Sequence, residues 1–247
     1  MMWSLYKKLL EGIPEDSPVI TSVRPGLWTM VTTAQGTAGV AMFLRQGECP
    51  ETDAIRNAVG HPLRQAAELV TSWNFLEAAV GMAAINAWYN TPQNAKNMGW
   101  QESDPETDIF EQYLPELEGK KVAVIGRFPR LDTVVAPHCT LSVLERDPGP
   151  GDLPDSACEY ILPGQDFVFI TGSAFANKTM PRLLELSKNA RVILTGPSVP
   201  LADCLFEHAE CLASSVVFHP EVLSNHEDAG IPPNRFHHSS RFVLVRR

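Results

Sequence analysis

Two short loops rich in glycine, hydroxyl and amide side chains carry the clearest chemical signal in this 247-residue sequence. The first loop follows the apolar run Phe167–Thr171 and contains Gly172, Ser173, Asn177 and Thr179. Thr179 is expected to cap the helical segment that follows, and the free N–H groups at the start of that helix would attract an anion. The alternative interpretation is a capped loop that binds no ligand.

The second loop, formed by Gly196, Pro197 and Ser198, follows the apolar run Arg191–Thr195 and repeats the same arrangement. In open α/β sheets, ligands bind beyond the carboxyl ends of the strands. If the two apolar runs are neighbouring strands, their loops converge on one crevice.

The loop that follows Val122–Ile125, the first predicted strand of the second domain, has lost the dinucleotide fingerprint. Of the glycine pattern that follows a first Rossmann strand, only Gly126 remains, and Phe128 stands where the backbone must approach a pyrophosphate. The sequence therefore disfavours conventional NAD binding. Glu145, after the run Thr140–Leu144, lies where a Rossmann acid meets a ribose hydroxyl, which would suit an adenosine moiety. The alternative is a surface glutamate beside Arg146.

Soft metal ligands are concentrated near the C-terminal end. Cys204, His208 and Cys211 would share one face if the helix predicted at Ala202–His208 continued. Thiolate and imidazole suit zinc, copper or nickel. However, no compact fourth ligand is evident, and a buried cysteine commonly packs as a small apolar side chain.

The elements that must position these residues predict an α/β protein with two domains. Residues 1–92 read as a small α+β domain, a β-meander plus a helical hairpin, residues 93–119 as a linker, and residues 120–247 as a Rossmann-like, mostly parallel sheet. Further predicted elements are helices at Pro62–Trp73, Asn74–Tyr89, Arg130–Ala136 and Glu221–Asp228, and strands at Val122–Ile125, Ser214–Phe218 and Phe242–Arg246.

Composition excludes several function classes. The net charge is −9, and residues 1–118 hold 7 basic against 15 acidic residues, so we expect neither nucleic acid nor a membrane as partner. With no signal peptide, a cytoplasmic location and reduced thiols at the five scattered cysteines are expected. A homodimer is the common default.

The ordered set of loops resembles that of the "putative heavy-metal chelation" family. The matching segments are Ile125–Pro129, Leu144–Arg146, Ile170–Thr179, Thr195–Leu201 and, in the first domain, Gly81–Ala87. The resemblance implies an enolase-N-terminal-like domain followed by a Rossmann-like domain, with a cleft between them and a role in heavy-metal handling. It implies no catalytic residue, but it does imply cleft residues, namely Gly126, Arg127, Phe128, Glu145, Thr171, Gly172, Asn177, Thr179, Gly196, Pro197 and Ser198.

Asn86 would be the first domain's contribution to that cleft, and a capping or interhelix amide is an equal alternative. Three hypotheses follow, in this order. The chain is a binding protein for a small molecule, a transition metal or a metal chelate. It is an enzyme that uses an adenosine-containing cofactor such as S-adenosylmethionine. Or it is a scaffold whose acidic first domain contacts a partner.

Overall fold

The computed structural model describes residues 3–45, 47–101, 108–221 and 239–247. The chain is a mixed α/β protein with a small antiparallel sheet and a larger, mostly parallel sheet, as the sequence predicts. The helix predicted at Glu221–Asp228 falls almost wholly on residues 222–238, which lie outside the described residues. Within the described ranges, no helix is long and apolar enough to cross a membrane.

The first domain is a three-stranded meander covered by one long helix. Its strands pair antiparallel in the order β1-β2-β3, and helix α4 packs on β2 and β3. Small residues allow this close approach, since a Cβ added at Gly39 would lie 2.0 Å from the Ala87 amide nitrogen. The elements are α1 (Ser4–Glu11), β1 (Ile20–Arg24), β2 (Trp28–Thr33), β3 (Ala38–Met42), α2 (Asp53–Arg56), α3 (Leu63–Ala67) and α4 (Phe75–Tyr89).

The first helix of the predicted hairpin is shorter than expected. The run predicted at Pro62–Trp73 forms α3 and then a 3-10 helix at Glu68–Thr71. A Cβ at Gly81 of α4 would lie 2.0 Å from the Val70 nitrogen, so α4 lies directly against this backbone. The small side chains of α4 therefore allow this close packing.

Two helices lie in the segment predicted as a linker. They are α5 (Pro92–Asn97) and α6 (Ile109–Leu117). The Asp108 side chain caps α6 by accepting from the Phe110 and Glu111 amides. Phe110 and Tyr113 of α6 are buried against the larger sheet, so this helix belongs to its core.

The second sheet has the order β10-β9-β8-β7-β4-β5-β6, parallel except for β10. Apart from β10, this is the strand order of doubly wound dinucleotide-binding folds. Its elements are β4 (Lys121–Ile125), β5 (Thr140–Glu145), β6 (Leu153–Pro154), α7 (Cys158–Ile161), β7 (Phe167–Thr171), α8 (Ser173–Ala176), α9 (Met180–Leu186), β8 (Arg191–Thr195), β9 (Cys211–Val217) and β10 (Ser240–Arg246).

Three local predictions for this domain were wrong. The α-helix predicted at Arg130–Ala136 is a π-helical turn at Leu131–Val135. The helix predicted at Ala202–His208 is a 3-10 helix at Asp203–Glu207, and β9 begins three residues before the predicted Ser214. The early start of β9 is explained by its surroundings. All seven of its residues are buried, and the strand pairs with both β8 and β10.

Asn90, directly after α4, and Asn94, in α5, fasten the first domain to the segment after β8. Asn90 is buried; its amide nitrogen donates to the Val199 carbonyl at 2.9 Å, and its Oδ1 accepts from the Leu201 amide at 2.8 Å. One turn later, Asn94 donates to the Leu201 carbonyl at 2.8 Å. One apolar core also runs without a break through both domains. The two sheets are therefore held together by specific polar bonds as well as by apolar contact.

Candidate functional site

A cavity of about 820 Å³ lies at the carboxyl ends of the parallel strands. Its volume falls within the range of small-molecule sites in proteins. Its wall includes the predicted ligand residues Gly126, Arg127, Phe128, Glu145, Thr171, Ser173, Asn177, Thr179, Gly196, Pro197 and Ser198. Two predicted residues, Gly172 and Asn86, lie outside this wall.

The loops after β4, β7 and β8 meet because their strands are neighbours. Thr171 and Thr195 stand opposite each other at the ends of β7 and β8. A Cβ added at Gly126 would lie 3.1 Å from the Thr171 side chain. Gly126 and Gly196 adopt φ angles of 95° and 107°, which side chains rarely tolerate, so glycine is required where these strands end.

The ring of Phe128 fills the space over these two glycines. It lies 3.7 Å from the Cβ position of Gly126 and 3.9 Å from that of Gly196. It also contacts Phe110 edge-on, with ring centroids 5.4 Å apart. A pyrophosphate bound as in dinucleotide-binding folds would need this space, so the geometry agrees with the loss of the glycine pattern.

Glu145 ends β5 beside the loop that follows β4. Its two carboxylate oxygens accept from the Arg127 and Arg146 amides, each at 2.7 Å. The Arg127 guanidinium in turn pairs with Asp132 and, at 2.7 Å, with Asp152. The acid therefore stands where the sequence predicts it, but it already holds the β4 and β5 exits together.

The loop after β7 is closed by its own side chains. The Thr171 and Ser173 hydroxyls are 3.1 Å apart, and Asn177 Oδ1 accepts from both the amide and the hydroxyl of Thr179. Thr179 makes no capping bond to α9, so the predicted capping role was wrong. Its hydroxyl is held by Asn177 instead, because the chain turns at Lys178, whose φ is 69°. Helix α9 has seven residues and no side-chain cap, and anion binding at its start stays a prediction.

The first domain contributes different residues from the one predicted. Asn86 is fully buried and donates to the Val40 carbonyl at 2.7 Å and the Pro197 carbonyl at 3.3 Å, so it bridges the domains beneath the cavity wall. The residues that reach the wall are Trp28, Met42 and Leu44. Ser198 ties the two sides together, because its hydroxyl accepts from the Met42 amide at 2.8 Å.

Gly172 packs beneath the cavity. A Cβ at this position would lie 2.5 Å from the Val199 nitrogen, so the loop after β8 passes directly over it. The residue is a spacer that lets the two loops approach and does not contact the cavity space.

Sequence reasoning also missed wall residues from α7, α9 and β10. They include Cys158, Glu159, Arg182 and Phe242. The first three lie on helices that fold back over the strand ends, and Phe242 lies on the antiparallel strand β10. A search restricted to strand exits could not find them. The position of α9 directly after the β7 loop was the only available signal.

The predicted metal ligands are not brought together. Cys204 lies in the 3-10 helix, which ends at Glu207, whereas Cys211 begins β9. Cys204 packs against the core shared by both domains, but Cys211 belongs to the separate core that contains α6. Burial raises the pKa of both thiols, that of Cys211 to about 11. The described residues contain no group of three or more His, Cys, Asp or Glu side chains that could hold a metal ion.

The fold and the cavity define an α/β protein with a ligand-sized cavity at the carboxyl edge of a doubly wound sheet. Two family models match the chain, over residues 108–246 and 6–89, and both are described as "putative heavy-metal chelation". The chain belongs to this family, as the resemblance of its loops implied.

Solved structures of the same family share the fold. A crystal structure of a protein of unknown function from Desulfitobacterium hafniense is 37% identical, with a TM-score of 0.89 over 100% of this chain and 99% of that one. A Pyrococcus horikoshii structure of unknown function is 23% identical, with a TM-score of 0.78 over 100% of both chains, and this likeness concerns the fold alone.

A curated relative matches part of the chain. An uncharacterized protein of Methanocaldococcus jannaschii is 29% identical in an alignment of 179 residues that covers 68% of this chain. The matched segment spans 65% of that relative's length.

Proposed function

We propose that this protein binds a small organic molecule or a metal complex in the cavity at the carboxyl edge of the large sheet, as part of heavy-metal handling. The observation that carries the proposal is the cavity itself, with a volume of about 820 Å³ and walls from both domains. The family description supports the link to metals. The Ser198–Met42 and Asn86–Pro197 bonds support a preformed site, because they hold the wall in place through contacts within the chain.

Native mass spectrometry of the purified protein tests this proposal directly. A bound molecule should add mass under native conditions and be lost under denaturing conditions. When that molecule is added back at about 100 times its Kd, it should stabilise the fold by about 2.7 kcal/mol. Ser156→Trp should lower the occupancy, because Ser156 is exposed on the cavity wall. The control, Asn189→Trp, changes an exposed residue away from the wall and should retain full occupancy.

Absence of any bound mass, together with no shift in unfolding temperature across a panel of metal complexes and nucleotides, would count decisively against the proposal. Full occupancy in both tryptophan variants would also contradict it, because it would indicate a site elsewhere.

A second candidate function is an enzyme that uses an adenosine-containing cofactor. The observation in its favour is Glu145, which ends β5 on the cavity wall in a sheet of doubly wound strand order. Its oxygens already accept two backbone amides, so a ribose hydroxyl would have to share them. Calorimetry with S-adenosylmethionine tests this second function. We expect micromolar binding that weakens in Glu145→Gln. Absence of binding heat with the wild type would refute it.

A further inference from the structure

The acidic side chains of the cavity wall already form hydrogen bonds or ion pairs within the protein. Glu145 accepts from two backbone amides, and Asp108 accepts from two amides at the start of α6. Glu159 pairs with both ends of the Arg182 fork, at 2.9 and 2.6 Å. Asp155 lies 3.7 Å from the Arg146 guanidinium. A cation that entered the cavity would have to compete with these bonds.

The arginines of the wall are compensated in the same way. Arg127 faces Asp132 and Asp152, and the Asp152 side chain is only 4% exposed, which makes separating the pair costly. Arg182 binds Glu185 at 2.7 Å in addition to Glu159. An anion such as pyrophosphate would therefore meet guanidinium groups whose charge is already balanced.

The wall also lacks a reactive soft ligand within the described residues. Its one cysteine is Cys158, and burial raises the pKa of that thiol to about 11. A protonated thiol is a poor ligand for a heavy-metal ion, because the thiolate is the form that coordinates. This donor set does not fit direct binding of a metal ion.

The remaining wall offers a different chemistry. Trp28 reaches it from the first domain, Phe110 from α6, Phe128 from the loop after β4 and Phe242 from β10. Thr171, Ser173 and Ser198, among others, add hydroxyl groups to the same wall. Aromatic faces with a few hydroxyls suit a flat organic body that needs little charge compensation.

From this balance of charges we infer that the cavity recognises an organic ligand of low net charge with a flat apolar body, and that a metal ion enters only when such a ligand already surrounds it. This inference rests on the proposed function and names the class of molecule bound. In this inference the protein handles a metal without coordinating it, because the donor atoms of the organic ligand would hold the ion.

A competition assay tests the inference with one dye and three competitors. The full-length protein is titrated with Nile red, a neutral solvatochromic dye, and the dye is then displaced. We expect saturable 1:1 dye binding that is displaced by zinc bis(8-hydroxyquinolinate), a neutral complex with flat aromatic ligands. We expect no displacement by Zn²⁺ alone or by inorganic pyrophosphate at the same concentration.

Variants locate the probe in the cavity. Phe128→Ala should weaken both the dye and the zinc complex about tenfold, because it removes one aromatic face. Trp28→Ala removes a face from the other domain and keeps the test decisive if Phe128→Ala fails to fold. The matched control is Trp73→Ala, since Trp73 is 71% exposed and lies off the wall, and its affinities should equal those of the wild type.

The outcomes separate the inference from the proposed function. Displacement of the dye by Zn²⁺ or pyrophosphate, lost in the Phe128 and Trp28 variants, would overturn the inference and leave a binding site in place. No saturable binding of the dye or the complex would overturn the inference, and the native mass spectrum then decides separately whether the proposed function holds. Loss of dye binding in Trp73→Ala alone would place the probe on the surface and would also refute the inference.

Discussion

Replacing Asn90 with alanine is expected to lower the free energy of unfolding by about 3 kcal/mol. The Leu201 N–H would lose its acceptor in a fully buried position, which costs about 1–3 kcal/mol. The Val199 carbonyl would lose one bond but keep the Ser214 hydroxyl at 2.6 Å, so this loss contributes only about 1 kcal/mol. Asn90→Asp should cost at least as much, because a carboxylate would then face that carbonyl.

Urea unfolding followed by circular dichroism measures this effect. The wild type should unfold in one transition, because a single apolar core spans both domains, and the alanine variant should show a lower midpoint with an unchanged slope. Asn97→Ala is the control, since Asn97 is exposed and bonds only Gln93 among the hydrogen bonds described, and it should change stability by less than about 0.5 kcal/mol. A loss below about 1 kcal/mol for Asn90→Ala would refute the argument that this amide fastens the domains.

Other substitutions probe packing and titration. Gly39→Ala should lower the free energy of unfolding in urea by about 3 kcal/mol or more, because the added Cβ would overlap the backbone at Ala87. Gly164→Ala should leave it unchanged, because a Cβ at Gly164 would have no atom within 4 Å. Burial lowers the pKa of Lys178 from 10.5 to about 8, so between these pH values the unfolded chain binds more protons and stability rises with pH. Lys178→Gly should remove that rise. Because glycine tolerates the positive φ, the substitution should also add about 1 kcal/mol to the free energy of unfolding. An unchanged pH profile of stability would contradict this. Cys158 should react with Ellman's reagent only after unfolding, and rapid reaction in the native state would contradict its burial and raised pKa.

The strands and their exits were predictable because they depend on local patterns. Apolar runs of four to six residues, such as Phe167–Thr171 and Arg191–Thr195, match β7 and β8 in full. Both strands are buried in a parallel sheet, and this burial produces the continuous apolar run that marks them in sequence. The convergence of their loops then follows from the rule for open α/β sheets and needs no knowledge of side-chain positions.

The irregular helices were not predictable in the same way. The helical spacing of Cys204, His208 and Cys211 was real in the sequence, but β9 begins at Cys211 and overrides it. Pairing of β9 with two neighbours buries all seven of its residues. Whether a short segment forms a helix or a strand depends on tertiary pairing of this kind. The periodicity within one segment carries no information about such pairing.

The role of Asn86 depended on information from the other domain. A buried amide in a helix of small residues must find partners, and the sequence correctly indicated that much. Its partners are the carbonyls of Val40 and Pro197, 46 and 111 residues away in the chain. Neither carbonyl has a side-chain signature, so a ligand and a domain contact could not be distinguished in advance.

The loop after β8 serves the cavity and the domain contact at the same time. Pro197 and Ser198 form part of the wall, and both also bond the first domain, through Asn86 and the Met42 amide. Movement of this loop away from the first domain would break those bonds and leave the buried Asn86 amide with only the Val40 carbonyl as an acceptor. The cavity should therefore keep its shape without a ligand, and a preformed wall reduces the ordering cost of binding. This favours recognition by shape and aromatic contact over closure around a charged ligand.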